Sequence, residues 1–541
     1  MKFKLLLVMK SKANLLNIIF LLTVILIYAY IFNRNNQLYL LNPPDEFSFK
    51  LLIQLTDIKN FSFSSPFFVL FFKIIFIFDE NFYSVAKVIN IILFFLGNFI
   101  IYIMAKKLSN INCAKLIFLI SSISTYNFYT TALMPEILFY TYFYFFVYCY
   151  LFIKNINIKY ISAGVNIFIL FCIKGTGLFI LPALIINEIF LFIKRTDKLY
   201  SFIKNVSIIL IIFFSLFVFF KFFFINSSDA FFGSKYENTF KEISNYEEII
   251  LVISIFLKNY IGHIYYFFFI FGLPFLIIFL RLFSRLNKCN LIEFLPLIII
   301  ICLSIFSSLN HAMYVFTYPN DLDVHRLNTR YYDFVLPLIL LSIISIKNDF
   351  FIENKNFKFL IYFISIILFF WIIITQIENF RPTFVIFDAI LFRGYVYNNF
   401  FFNIFVCINI SLIIFNLLFK NKLIVIYAFV YIPFIILLSS VPISKEVKTY
   451  YKPNAYDLVG NQIKNMHRLK NKDLTVIGYN MIGEDYRVLF NLNPKKVVNS
   501  SINNLDKLIQ NNSNIFLINY KKDIKNKKYD TFMNGRYIYI Q

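Results

Sequence analysis

Charged residues are scarce in this sequence, and their scarcity excludes several classes of protein. Asp, Glu, Lys and Arg make up only 15% of the 541 residues, which argues against intrinsic disorder and against a coiled coil. Glycine occurs only 12 times, so a collagen-like repeat is excluded. The six cysteines lack metal-ligand spacing and none lies after Val441, which argues against a zinc site and a disulfide scaffold.

Nucleotide-binding and hydrolase motifs are also missing. The sequence contains no P-loop, no Gly-x-Gly-x-x-Gly run and no Gly-x-Ser-x-Gly run, so no motif for nucleotide binding or for a serine hydrolase is present. The net charge of +23 would suit nucleic acid, but basic residues in a membrane protein usually set its topology. We therefore predict no nucleic-acid partner.

Apolar residues are abundant instead, and they occur in long runs. Hydrophobic residues make up 60% of the chain, and the mean hydropathy is +0.71. Because roughly 20 apolar residues cross a bilayer as a helix, residues 1–441 are predicted to form an all-α polytopic membrane domain. About thirteen spans are expected, at 15–33, 85–105, 112–131, 133–153, 160–173, 177–193, 203–225, 262–283, 291–309, 331–346, 357–375, 398–419 and 423–441. The shorter run Pro66–Phe78 suits an interfacial or re-entrant helix.

The charges predict how these spans are oriented. With the N-terminus in the cytoplasm, the inner segments hold 21 Lys and Arg against 5 Asp and Glu, and the outer loops hold 14 against 16. This asymmetry is the positive-inside pattern. It places the segments 34–84, 226–261, 310–330 and 442–541 outside the cytoplasm. Long acidic outer loops with minimal inner loops favour chemistry at the outer face.

The tail after the last span, residues 442–541, is predicted to be a small extracytoplasmic α/β domain. Short runs of β-branched and aromatic residues predict strands at 474–478, 496–499 and 515–520, with an edge strand at 537–540. Helices are expected at 482–491 and 502–510. About 100 residues suffice for an independent fold.

Two outer segments carry acidic residues that are candidates for chemistry. Asp45 and Glu46 follow the first span, and such a pair can act as a general base, bind a divalent cation, or do both. The alternative is a solvated acidic loop. Glu136 follows Pro135 at the outer start of an aromatic span, where the alternative is a carboxylate that reaches the interface without a function.

Basic residues on the same side are candidates for phosphate binding. Lys174 lies in a Gly-containing break between two apolar stretches, and Arg326 and Arg330 precede the span at 331–346. Arginine suits bidentate phosphate binding, and a lysine here would meet a lipid phosphate. A solvated loop lysine is the alternative for Lys174.

Five segments in a fixed order resemble one superfamily. They are Asp45-Glu46, Ser65-Pro66-Phe67-Phe68 with Phe78-Asp79-Glu80, Leu133–Leu138, Ile173–Leu178, and Arg330-Tyr331-Tyr332 with Pro337. Together they resemble the GT-C integral-membrane glycosyltransferases, particularly the glycosyltransferase family 39 branch of protein O-mannosyltransferases and lipid A aminoarabinose transferases. The large inserted sugar-binding domain of the former and the pattern after the acid in the latter are absent.

The resemblance implies an inverting sugar transfer from a polyprenyl-phosphate carrier to a lipid, glycan or protein of the cell envelope, at a bacterial inner membrane. Asp45 would deprotonate the acceptor hydroxyl, and Glu46 or Glu136 would hold the acceptor or a metal. The donor phosphate would be bound by Lys174, Arg326 and Arg330. Members of the superfamily differ in their need for metal, so Mg²⁺ or Mn²⁺ is an optional cofactor.

Two other functions fit a chain with many spans and outer loops. An O-antigen-type polymerase or ligase would carry a large central outer loop rich in Arg and His. A flippase for lipid-linked sugars, or another transporter, would spread polar residues along several spans. Here the acidic pair lies in the first outer loop and the spans consist mostly of Phe, Ile and Leu, which favours the transferase.

Overall fold

Helices form most of the described structure, which is a computed structural model. It describes residues 2–37, 43–55, 65–78, 82–195, 199–224, 245–284, 291–317, 327–345, 427–465, 475–478, 485–492, 496–499, 515–518, 529–533 and 536–540, with isolated residues between 359 and 411. The helices up to residue 345 are α1 Lys2–Gln37, α2 Pro43–Leu55, α3 Pro66–Phe78, α4 Phe82–Leu108, α5 Ile111–Ile123, α6 Glu136–Phe152, α7 Ile156–Ile173, α8 Ile180–Arg195, α9 Leu199–Phe224, α10 Tyr246–Ser284, α11 Leu291–Thr317 and α12 Leu336–Ser345. Two further helices are α13 Ile432–Lys448, which begins inside the predicted last span 423–441, and α14 Ala455–Asn465 in the tail.

The described helices include eight that are long and apolar enough to cross a membrane. Four shorter apolar helices accompany them, at Pro66–Phe78, Ile111–Ile123, Glu136–Phe152 and Asp333–Ser345. The part of the chain before the tail is therefore an all-α polytopic membrane domain. The predicted spans 357–375 and 398–419 lie outside the continuously described residues, so the count of thirteen stays a prediction.

The structure corrects several predicted boundaries. Helix α10 begins at Tyr246, so the second half of the predicted loop 226–261 is helical. This run was not predicted as part of a span because it contains the charged residues Glu247, Glu248 and Lys258. Helix α11 likewise continues to Thr317, and the predicted loop 34–84 contains both α2 and α3. The predicted span 112–131 ends as an α-helix at Ile123 and continues as a 3₁₀ segment, Thr125–Thr131.

Tyrosine hydroxyls inside the helix bundle are satisfied by polar partners on neighbouring helices. Tyr140 on α6 donates to Asn98 Oδ1 on α4 at 2.6 Å, and Asn98 donates to the Tyr28 hydroxyl on α1 at 3.0 Å. Tyr144 donates to the Phe334 carbonyl at 2.7 Å, which ties α6 to the segment before α12. Such bonds matter because a polar group left unpaired in a membrane interior is costly.

The tail contains a five-stranded sheet. Its strands are β1 Thr475–Gly478, β2 Lys496–Asn499, β3 Ile515–Ile518, β4 Tyr529–Phe532 and β5 Tyr537–Ile540, in the order β2-β1-β3-β5-β4. Strand β1 pairs in parallel with β2 and β3, and β5 pairs antiparallel with β3 and β4. Four strands fall within a residue or two of the predicted positions, whereas β4 was not predicted and the predicted helix 502–510 lies outside the described residues.

A short helix of the tail, α15 Asp485–Leu492, rests on α2 of the membrane part. Phe47 of α2 is buried in the same apolar cluster as Val488 and Leu489, and its ring lies 5.8 Å from that of Tyr486. The tail therefore covers the helix that carries Asp45 and Glu46.

Candidate active site

Asp45 and Glu46 lie in the first turn of α2 and face different surroundings. The Asp45 Oδ2 atom lies 3.5 Å from Arg330 Nη1, and the two side chains are 45% and 18% exposed. A carboxylate in this position is open to an approaching substrate. The structure thus brings together two predicted site residues that are separated by 285 positions in the sequence.

Glu46 points into the protein instead. Its side chain is completely buried, and its Oε2 atom accepts hydrogen bonds from the Tyr83 hydroxyl at 2.6 Å and from the Leu133 amide at 3.0 Å. Successive residues of a helix project in directions about 100° apart, so one neighbour faces the site and the other faces the core. This arrangement makes Glu46 an anchor for α2 in the structure.

Glu136 and Lys174 form a second, buried ion pair. Lys174 Nζ donates to Glu136 Oε1 at 2.9 Å, and the side chains are 12% and 2% exposed. Glu136 is the first residue of α6, where the helix dipole favours a carboxylate. Its Oε2 atom is buried and has no hydrogen-bond partner among the described residues.

A tight turn at the end of α7 presents Lys174. The backbone of Lys174 is extended, and the 3₁₀ segment Gly175–Phe179 follows it. The Gly177 amide donates to the Lys174 carbonyl at 2.8 Å, and a Cβ atom on Gly177 would lie 2.4 Å from the Leu170 carbonyl carbon. Glycine is therefore required at 177. A Cβ atom on Gly175 would meet nothing within 4 Å, so a side chain would fit at 175.

The Tyr331 ring joins the two ion pairs into one site. Lys174 Nζ lies 4.8 Å from its centroid and Arg330 Cζ lies 5.4 Å from it. Asn310 donates to the Tyr331 hydroxyl at 3.3 Å, which fixes the ring. Two cations thus lie within cation–π distance of a single aromatic ring.

A buried polar network supports the segment that carries Arg330 and Tyr331. The Asp333 carboxylate accepts from Tyr266 at 2.7 Å and from Thr329 at 2.6 Å. The Tyr332 hydroxyl is bonded to His263 Nδ1 at 2.6 Å. Tyr83, His263, Tyr266 and Asp333 were not predicted as site residues, because nothing in the sequence separates them from structural tyrosines and buried polar groups.

The remaining predictions for the site are not tested by the structure. Arg326 lies outside the described residues. Among the described residues, no group of three or more His, Cys, Asp or Glu side chains is placed to hold a metal ion. The Mg²⁺ or Mn²⁺ cofactor therefore stays a prediction, and the chemistry that we derive for these residues contains no step through a metal.

Comparison with known proteins reveals a shared fold. No protein-family model and no curated protein sequence matches the chain. Among solved structures, ArnT from Cupriavidus metallidurans bound to undecaprenyl phosphate matches with a TM-score of 0.53 and 13% identity, covering 96% of this chain and 97% of that one. Its apo state matches with a TM-score of 0.51 and 12% identity, over 98% of both chains.

These matches define the class of the fold. The chain shares the fold of ArnT along nearly its whole length. The resemblance drawn from five short sequence segments is thus confirmed for the fold. An oligosaccharyltransferase from Archaeoglobus fulgidus tethered to an acceptor peptide aligns with a lower TM-score of 0.39 and 12% identity, over 87% of this chain and 63% of that one.

Proposed function

We propose that this protein is an inverting glycosyltransferase that moves a sugar from a polyprenyl-phosphate carrier to a hydroxyl group of a cell-envelope lipid, glycan or protein. The observation that carries the proposal is the convergence of Asp45, Arg330, Glu136 and Lys174 on one site around Tyr331. An accessible carboxylate beside two cations supplies a base and a phosphate site. The GT-C fold and the undecaprenyl phosphate bound to ArnT support a lipid-linked donor.

The position of the site supports chemistry at the outer face of a bacterial inner membrane. Asp45 lies beside the tail, and Glu136 begins the helix α6. Lys106-Lys107 and Lys154 lie at or just beyond the far ends of α4 and α6, where the positive-inside pattern places the cytoplasm. In this orientation the tail and the site lie outside the cytoplasm, where a donor already carried across the membrane replaces a nucleotide sugar.

Asp45 is the proposed general base. Its carboxylate takes the proton of the acceptor hydroxyl as that oxygen attacks the anomeric carbon of the donor sugar. The bond between the anomeric carbon and the phosphate oxygen breaks, and its electron pair leaves on the polyprenyl phosphate. A base in this role typically contributes about 10²–10⁴-fold to the rate.

Lys174 and Arg330 are the proposed groups that receive the phosphate. Negative charge grows on the leaving oxygen in the transition state, and fixed cations in a partly dry site stabilise such charge strongly. The ion pair with Glu136 and the Tyr331 ring hold the Lys174 ammonium in place before the donor arrives.

Glu136 and Glu46 receive different roles in this proposal. Glu136 is only 2% exposed and holds the Lys174 ammonium through Oε1, so it orients this cation toward the donor phosphate. Glu46 is bonded to Tyr83 and Leu133 and therefore fixes α2 without touching the substrate.

The test is sugar transfer from labelled polyprenyl-phosphate sugars by the purified protein, with envelope lipids as acceptors. We expect transfer by the wild type and a loss of about a thousand-fold in Asp45→Asn. The conservative Tyr200→Phe variant, at a residue that is 77% exposed, serves as the control and should transfer normally. Full activity in Asp45→Asn would remove the assigned base. Movement of the carrier across vesicles without any transfer would favour a flippase instead.

A further inference from the structure

The tail helix α15 contacts the membrane part at the helix that carries the proposed base. Lys50 of α2 donates to the Phe490 carbonyl at 2.6 Å, and its ammonium lies 4.0 Å above the centroid of the Phe490 ring. Phe490 lies near the C-terminal end of α15, where carbonyls lack partners within the helix and the dipole favours a cation. This bond therefore links the tail to α2 by a charge-assisted contact.

The same Phe490 ring reaches Glu46 through Tyr83. The rings of Tyr83 and Phe490 meet edge to face, with centroids 4.8 Å apart, and the Tyr83 hydroxyl donates to Glu46 Oε2 at 2.6 Å. Glu46 is adjacent to Asp45 in the chain. The contact thus runs from the tail through one tyrosine to the residue next to the base.

Among the described residues, helix α2 packs mainly against α3 and α15, and Glu46 is bonded to Tyr83 and Leu133. The helix has 13 residues, and isolated helices this short are marginal in water. Its position therefore depends on its packing partners. A shift of about 1 Å in a reacting group can cost about a hundred-fold in rate, so the support of α2 bears directly on Asp45.

We propose that the tail acts as a positioning domain for the base, with Tyr83, Lys50 and Phe490 as the positioning residues. This inference rests on the proposed function, because it assigns the tail to the reaction at Asp45. When α15 is docked, Tyr83 and Lys50 hold α2 so that Asp45 lies opposite Arg330. When this contact is weakened, α2 loosens while the donor site at Lys174 and Tyr331 stays formed.

The inference predicts a separation of rate from donor binding. In the full-length protein, Tyr83→Phe removes the hydroxyl that donates to Glu46. Phe490→Ala removes the tail ring that contacts Tyr83. For both variants we expect kcat to fall on the order of tenfold, with KM for the donor and Kd for polyprenyl phosphate unchanged. The matched controls are Tyr200→Phe in the membrane part and Leu458→Ala at an exposed tail position, and both should behave like the wild type.

Amide hydrogen exchange gives a readout that does not depend on activity. We expect exchange in residues 43–55 to rise about tenfold in Phe490→Ala and less in Tyr83→Phe, with exchange in α6 and α7 unchanged. Unchanged exchange in 43–55 in both variants would overturn the inference, and so would a kcat equal to that of the wild type. If the wild type transfers no sugar, the proposed function fails, and a rise in exchange still supports the structural coupling.

Discussion

The two ion pairs of the candidate site differ in their access to water. Lys174 and Glu136 are 12% and 2% exposed and meet at 2.9 Å, whereas Arg330 and Asp45 are 18% and 45% exposed and lie 3.5 Å apart. A buried pair is preorganised but costly to break, and an exposed pair is worth little to stability. The buried pair is thus suited to hold a fixed charge for the donor phosphate. The open carboxylate of Asp45 is suited to meet an acceptor.

The largest loss of stability should come from removing one partner of the buried pair. Lys174→Met leaves Glu136 as an uncompensated buried charge, and we expect a loss of stability of about 3–5 kcal/mol. The measurement is thermal unfolding in detergent. The double variant Lys174→Met with Glu136→Gln should recover much of this loss, because the isolated charge is gone. A melting temperature of the single variant equal to that of the wild type would show that the pair is not buried as described.

The loss of stability should be much smaller when the cation is removed from the other pair, because the carboxylate of that pair is 45% exposed. Arg330→Met is expected to cost about 0–1 kcal/mol, because water already screens the Asp45 carboxylate. Affinity for polyprenyl phosphate should nevertheless fall about tenfold, as a charged phosphate partner is lost. Parallel thermal unfolding and binding titrations check both parts. A large loss of stability without a loss of affinity would reverse the roles that we assign to the two pairs.

The smallest effect on donor binding should come from changing the Tyr331 ring, which lies near both cations. Tyr331→Leu removes the cation–π contacts to Lys174 and Arg330, which are worth about 0.5–1 kcal/mol at accessible sites. We expect two- to fivefold weaker binding of polyprenyl phosphate, measured by the same titration. Tyr331→Phe keeps the ring and should bind as the wild type does. Equal binding by the Leu and Phe variants would show that the ring does not shape the cation site.

The helix bundle and part of the site follow from local sequence patterns. Apolar runs and the positive-inside pattern predicted Asp45, Glu136, Lys174 and Arg330 on one side of the membrane. Short runs of β-branched and aromatic residues located four strands of the tail. The GT-C resemblance, drawn from short segments, named the fold that the matches to ArnT confirm.

Tertiary contacts decided what the sequence pattern could not. Asp45 and Glu46 are adjacent carboxylates, so the local sequence does not distinguish their orientations. The hydrogen bonds from Tyr83 and Leu133 hold Glu46 inward. Tyr83 is one of 37 tyrosines, and nothing near it in sequence marks it as a bridge to the tail. Strand β4 was missed because its Tyr-Asp-Thr-Phe sequence is short and polar, and only pairing with β5 stabilises it.

The division of roles between the two pairs is tested most directly by one binding measurement. The dissociation constant for polyprenyl phosphate would be determined for the wild type, Asp45→Asn and the double variant Lys174→Met with Glu136→Gln, each in a folded form. We expect Asp45→Asn to bind as the wild type does, although its transfer falls about a thousand-fold, and the double variant to bind at least tenfold more weakly. Wild-type affinity in the double variant, with weak binding in Asp45→Asn, would contradict the account.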